Sequence, residues 1–284
     1  MNKRTWILYG IYAVIVAAFF LYYLFPSQSL KDYIVAQAGR MNPDYQITAE
    51  KARLVFPFRI RLHNVDLDHF SDRLLEAEEV TITPRLRSLI SRKSEFAFSM
   101  DAHQGHISGT ADIADGQRLV LNAAASGLQL ADIPFLNNMS PNKVEGVLQG
   151  VLNYAAGNGR LEALNVSLVI TKLTVELATP FFTLDNISFD TVEADAVLQN
   201  QQLKISRVTL TGDQIQGNLS GYASIGNDVR LTTVNLSGTV MPQEQFIQRS
   251  GFQIPPSFLD SLKTGGGIPI RISGPLDDLR LETK

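Results

Sequence analysis

The first pattern along the chain is an uncharged apolar stretch from Trp6 to Phe25, WILYGIYAVIVAAFFLYYLF. A helix rises about 1.5 Å per residue, so this stretch can span the roughly 30 Å hydrocarbon core of a bilayer. Lys3 and Arg4 precede it, and cations on the short side of such a helix favour the cytoplasm. The pattern predicts a cytoplasmic stub (1–5), a transmembrane anchor (6–25) and an exported remainder.

A cleaved signal peptide is the alternative for this stretch. It would need a shorter apolar region followed by small residues at the cleavage site. Here the apolar stretch ends in the bulky sequence Phe-Leu-Tyr-Tyr-Leu-Phe, directly before Pro26. The uncleaved anchor is therefore the preferred interpretation.

Helical spacing continues briefly beyond the anchor. Ser29 can cap a helix in which Leu30, Ile34 and Ala38 share one face, and Asn42-Pro43 ends it. We predict an amphipathic helix in the segment 27–42. It lies either on the membrane headgroups or against the domain that follows.

From Tyr45 onward the apolar positions alternate with period two, which is typical of β-strands. Apolar runs recur about every 8–12 residues and are separated by Gly, Asn and Asp turns, which predicts an antiparallel meander in one elongated β-rich domain, 43–284. Among the later predicted strands, Phe181–Phe189 and Val192–Leu198 are separate. Three short helices interrupt the pattern: a basic one at Arg85–Lys93, one at Leu130–Asn137, and one from Pro242 to Leu262.

The β-rich region contains a repeat. Gly105–Ile113 and Gly217–Ile225 share the pattern Gly-x-(Ile/Leu)-Ser-Gly-x-Ala-x-Ile, and Gly146–Leu152 is a looser copy. Alternate residues of a strand share a face, so one face of each copy is smooth and apolar. Recurring strand glycines indicate close approach of another backbone, a bulge, or an apolar ligand on that face. The candidate groove residues are Gly105, Ile107, Gly109, Ile113, Gly217, Leu219, Gly221 and Ile225; the alternative is that they are plain core.

Charge and composition narrow the function classes. A net charge of −3 argues against nucleic acid as a partner. The absence of cysteine excludes disulfides, thiol nucleophiles and cysteine metal sites, and in an exported domain it favours a bacterial envelope protein. Cations gather between Lys51 and Lys93, close to the anchor, where they either contact anionic headgroups or line solvated strand faces. The candidate headgroup contacts are Arg85, Arg87, Arg92 and Lys93.

Catalytic motifs are missing from the sequence. Its four histidines form no ligand cluster, and Ser108 and Ser220 sit one place too late for a Gly-x-Ser-x-Gly nucleophile elbow. Lys263-Thr264 precedes three glycines instead of following a phosphate loop. We therefore predict a protein that is not an enzyme, with no metal and no cofactor.

The order of these segments resembles a known family. The anchor and short helix lead to a strand pair around Arg53–His63, then to Leu74–Ile82 (LLEAEEVTI), the basic helix and the Gly-x-Ile-x-Gly strand. The chain closes on Ile268–Leu276 (IPIRISGPL). This order is similar to the AsmA-like group of bacterial envelope proteins and, in its length, to the type II secretion system protein N family.

The resemblance implies a single-pass protein of the bacterial inner membrane with its body in the periplasm. It implies a non-enzymatic accessory or scaffold of the type II secretion pathway, which exports folded proteins across the outer membrane, with other secretion subunits as partners. The wider group implies a curled β-sheet whose apolar groove carries lipids, so phospholipid acyl chains are the alternative partner. No catalytic residues carry over from the family.

Overall fold

The computed structural model describes most of the β-rich region of the chain. The described residues are 45–55, 59–69, 72–85, 93–114, 118–139, 142–157, 160–181, 184–199, 202–226, 231–243, 267–276 and 278–283, with single positions at 9, 12, 16, 28, 31, 32, 35, 36 and 246.

A single antiparallel sheet of fourteen strands makes up the fold, and each strand pairs with its neighbours in chain order. This mainly β meander, curled and with few helices, confirms the predicted fold class at that level. The strands are β1 (Tyr45–Val55), β2 (Arg59–His69), β3 (Asp72–Pro84), β4 (Lys93–Ala102), β5 (Gly105–Ala114), β6 (Arg118–Gln129), β7 (Lys143–Gly157), β8 (Arg160–Phe181), β9 (Leu184–Gln199), β10 (Gln202–Thr211), β11 (Ile215–Ser224), β12 (Thr233–Pro242), β13 (Ile268–Pro275) and β14 (Arg280–Thr283).

Two long strands differ from the sequence prediction. The segments Phe181–Phe189 and Val192–Leu198, predicted as separate strands, belong mainly to one strand, β9, while Phe181 ends β8. Asp190 and Thr191, which separate the two predicted segments, lie inside β9, and the pairing of β9 with β8 continues on both sides of them. On β8, Lys172 has a positive φ of 54°, and the pairing continues on both sides of it. Opposite this position the β7–β8 pairing shifts between Glu145 and Val147, and a bulge of this kind bends a strand without ending it.

Side-chain alternation sorts the sheet into an apolar face and a polar face. Two rows of directly paired residues run across the apolar face, and neither row contains a charged residue. The first row, from β1 to β13, is Ala52, Leu62, Val80, Met100, Ile107, Ala125, Gly150, Leu168, Ala194, Val208, Leu219, Gly238 and Ile270. The second row, from β1 to β14, is Leu54, Ile60, Ile82, Phe98, Gly109, Ala123, Leu152, Val166, Ala196, Ile205, Gly221, Leu236, Ile272 and Leu281.

Burial along the apolar face is uneven. One buried cluster lies on β1–β4 around Leu62 and Val80, and a second lies on β10–β13 around Leu219 and Ile270. Between them, the apolar-face side chains of β5, such as Ile107, and of β8, such as Leu168, are only half-buried. Because the buried side chains lie on this face, the sheet curls around it.

Few helical elements are described. A 3₁₀ turn (Leu130–Asp132) and helix α1 (Pro134–Met139) confirm the helix predicted at Leu130–Asn137. Helix α1 contacts β3 and β7, which are not neighbours in the sheet. It therefore lies across the curl of the sheet at one end.

Several predicted segments lie outside the described residues. Of the predicted anchor, only Tyr9, Tyr12 and Val16 are described, and each is helical. The described residues include no helix long and apolar enough to cross a membrane. The amphipathic segment 27–42 is described only at helical positions 28, 31, 32, 35 and 36, and the segment 242–262 at 242, 243 and 246.

Candidate apolar binding face

The first copy of the repeat forms β5. Ile107 belongs to the first row of the apolar face and Gly109 to the second, with Gly105 and Ile113 on the same side of the strand. All four residues are intermediate in exposure. Their neighbours on β4 and β6 are apolar or small, for example Met100 and Ala125 beside Ile107. The strand therefore contributes a low, apolar, half-open strip in the middle of the sheet.

The second copy forms β11 and lies in a different environment. Gly217, Leu219 and Gly221 also face the apolar side, but Leu219 is only 5% exposed and packs in the cluster with Ile268 and Ile270. Ile225 lies past the end of β11 and is 45% exposed. The same sequence pattern thus gives an open strip on β5 and a packed core on β11.

The repeat glycines allow neighbouring strands to approach. A Cβ atom added at Gly109 would meet the carbonyl oxygen of Asn122, and one at Gly221 would meet that of Asn235. At Gly217 the oxygen of Thr239 would lie at 2.8 Å, below the contact distance that Cβ atoms tolerate. Close approach of another backbone is therefore one reason for these glycines, as the sequence suggested. Because glycine has no side chain, the apolar face is flat at these positions.

Residues outside the predicted set of groove residues complete the middle of the face. Leu152 on β7 pairs with Val166 on β8, and Gly150 pairs with Leu168, so both strands continue the rows that cross β5. Their alternation was visible in the sequence, but alternation alone does not say which strands become neighbours. The continuous rows are therefore a property of the register.

The middle of the curl is not filled by contacts between opposite parts of the sheet. In the described part of the chain, the extensive contacts between elements join neighbouring strands, or involve the 3₁₀ turn and α1. Among the described residues, no large side chain is less than 2% exposed, unlike in a two-layer β-sandwich core. Within the part of the chain that the structure describes, the apolar face on β5–β8 is therefore only partly covered.

Short networks of hydrogen bonds and ion pairs lie on the polar face. The Ser167 hydroxyl donates to Asp195 at 2.8 Å, and the Arg207 guanidinium contacts the same carboxylate at 2.8 Å. These two contacts, the Ser167 hydrogen bond first, hold the pKa of Asp195 below its usual value. Among the described residues no three His, Asp or Glu side chains are grouped as metal ligands. The contacts of Asp195 with Ser167 and Arg207 join β8, β9 and β10 on the polar face.

The candidate headgroup contacts are only partly described. The Arg85 side chain forms an ion pair with Glu95 at 3.6 Å, and its backbone N–H donates to the Glu95 carbonyl. Lys93 lies in β4 and not in the predicted basic helix, because its backbone pairs with Ala114 across the ladder. Arg87 and Arg92 lie outside the described residues.

Comparison with known proteins gives no relative for this chain: no family model matches it, and neither a curated protein nor a solved structure is detectably similar. The resemblance to the AsmA-like group therefore stays a prediction from the sequence.

Proposed function

We propose that the curled sheet forms a groove that binds the acyl chains of membrane lipids along its apolar face. The observation that carries the proposal is the pair of uncharged rows that cross the sheet without interruption. With strands about 4.8 Å apart, fourteen strands extend these rows over a path on the order of 60 Å. Exposed apolar surfaces of that extent are typical of ligand grooves and interaction sites.

An unbranched hydrocarbon chain suits this surface better than a peptide does. A peptide laid across the face would bury N–H and C=O groups against side chains that offer no hydrogen-bond partner, at a cost of about 1–3 kcal/mol for each unpaired group. An acyl chain carries no such groups, and each buried methylene contributes about 0.8 kcal/mol. The half-buried side chains of β5–β8, such as Ile107 and Leu168, provide the entrance to the groove.

The Trp6–Phe25 stretch supports a place for this groove beside a membrane. Its length and lack of charge suit a transmembrane anchor, and Lys3 and Arg4 favour a cytoplasmic N-terminus. We propose that the sheet stands on the outer side of the bacterial inner membrane. Phospholipids of that membrane are then the nearest source of acyl chains.

Photo-crosslinking in the intact chain tests the groove. With a benzophenone amino acid in place of Leu152, on the apolar face of β7, we expect covalent phospholipid adducts in intact bacteria. The matched control is its neighbour Val151, which is 49% exposed on the polar face of the same strand. Adducts are expected at Leu152 only, measured by mass spectrometry of the purified chain. Equal adducts at both positions, or none at Leu152, would contradict the proposal.

A role as an accessory of the type II secretion pathway is the second proposal for this chain. It is supported by the family resemblance of the segment order and is compatible with lipid binding. Deleting the gene in an organism that has the pathway is expected to reduce the set of secreted proteins. An unchanged secretome, together with no association between this chain and other secretion subunits, would overturn that role.

A further inference from the structure

The first strand lies at one edge of the described sheet. Among the described residues, β1 pairs with β2 on one side only, and alternate N–H and C=O groups on its other side point away from the sheet. Such an edge is a template for another strand. At the other end of the sheet, β14 spans only Arg280–Thr283, so β1 is the longer free edge by far.

Alternation along β1 breaks at its midpoint. Ile47 and Ala49 lie on the apolar face, and beyond the break Ala52 and Leu54 do so. Glu50 and Lys51 between them are both exposed, and their side chains contact each other at 2.9 Å. We call this break the crease.

The crease continues into β2 and β3, at the positions that lie opposite Glu50 and Lys51 in the ladder. On β2 it lies at His63 and Asn64, between the apolar-face residues Leu62 and Val65, and Asn64 has a positive φ of 49°. On β3 it lies at Glu78 and Glu79. A strand added to β1 must carry the same break, because a regular strand would turn its apolar side chains to the polar face beyond the crease.

The sequence of β1 is complementary to a second, antiparallel copy of itself about the crease. If a second β1 is laid antiparallel with the two-fold axis at the crease, Ile47 comes opposite Leu54 and Ala49 opposite Ala52, all on the apolar face. On the polar face, Thr48 comes opposite Arg53. Glu50 comes opposite Lys51 of the other copy, and the symmetry makes this charge pair occur twice.

We propose that two copies of this chain pair through β1 in this register and form one sheet with an apolar face that is continuous across the two-fold axis. Opposite charges directly across a strand pair stabilise it, and like charges destabilise it. Lys51 and Asn64 hold the pKa of Glu50 below its usual value, so its carboxylate is charged at neutral pH. This dimer goes beyond lipid binding and does not depend on it.

Cysteine pairs test the register directly, because the chain has no cysteine of its own. We expect full chains carrying Thr48→Cys and Arg53→Cys, coexpressed with different tags, to form a mixed disulfide dimer on mild oxidation. Paired positions on adjacent strands lie about 4.5–5.5 Å apart, within disulfide reach. Each variant alone should give no disulfide dimer, since its two copies are about five residues out of register. Absence of the mixed disulfide, or equal cross-linking of all combinations, would overturn the proposal.

A charge exchange provides the second measurement. Glu50→Lys or Lys51→Glu alone places like charges opposite each other twice, and we expect each to weaken dimerisation about tenfold in sedimentation of the full chain. The double variant Glu50→Lys/Lys51→Glu restores opposite charges and should dimerise like the original chain, with unchanged circular dichroism throughout. A monomeric original chain, or a double variant as weak as the single ones, would refute the pairing.

Discussion

Replacing Leu219 with alanine is expected to destabilise the folded protein by about 2–5 kcal/mol. Leu219 is 5% exposed and packs with Ile268, Ile270 and half-buried neighbours such as Leu236. Removing its side chain deletes buried methyl groups and leaves a cavity that the surrounding strands fill only in part. Urea denaturation followed by circular dichroism measures the loss as a lower unfolding midpoint.

The matched control is Leu121→Ala, in the middle of the same apolar face. Leu121 is half-buried and pairs with Ala111 and Tyr154, outside both buried clusters. Truncating Leu121 removes less buried apolar surface than truncating Leu219, and it leaves a site open to solvent and not a closed cavity. We therefore expect the free energy of unfolding to fall by about 1 kcal/mol. Equal losses at Leu219 and Leu121 would show that the middle of the face is packed core, and would count against the groove.

Alanine at Gly221 is expected to destabilise the sheet by about 1–3 kcal/mol. A Cβ atom there would meet the carbonyl oxygen of Asn235, with the Cα atom of Leu236 at 2.9 Å. Both are backbone atoms of β12, so relief requires the strands to move apart. In a strand, alanine is otherwise more stabilising than glycine by about 0.5–1 kcal/mol, because glycine loses more conformational freedom when the chain folds. The clash exceeds this gain, and thermal unfolding should show a net loss.

Gly157→Ala is the control for that prediction. At Gly157 the nearest atom to an added Cβ is the carboxylate of Glu162, the far end of a flexible and exposed side chain. The carboxylate can move away at the cost of a surface ion pair with Arg118, about 0–1 kcal/mol. We therefore expect little change in stability at Gly157. A Gly221 variant as stable as the Gly157 variant would mean that the close approach of β11 and β12 has no energetic consequence.

The β-rich fold could be predicted from the sequence because its cause is local. Alternation of apolar and polar residues with period two, broken by turn residues, determines which segments are strands and which side chains share a face. The repeat therefore identified Ile107 and Leu219 as apolar-face residues before their neighbours were known. Where a bulge interrupts the ladder, as at Lys172, the local pattern does not show that the strand continues.

The candidate site could be predicted only in part, because it depends on register and burial. Ile107 and Leu219 occupy the same place in the repeat, yet one is half-buried and the other packed. Their difference comes from what the curl of the sheet places beside them: Ile268 and Ile270 surround Leu219, whereas Ile107 lies between the two clusters. No local pattern contains that information.

The sequence by itself determined the strands, their two faces and the apolar character of the repeat, since these follow from side-chain chemistry at neighbouring positions. The tertiary structure decided how fourteen such faces join into continuous rows, which parts of the rows close into core, and how the crease crosses β1–β3. The physical reason is that a one-residue change of register moves every side chain of a strand to the other face. Register is set between strands, by pairings that the sequence of a single strand does not encode.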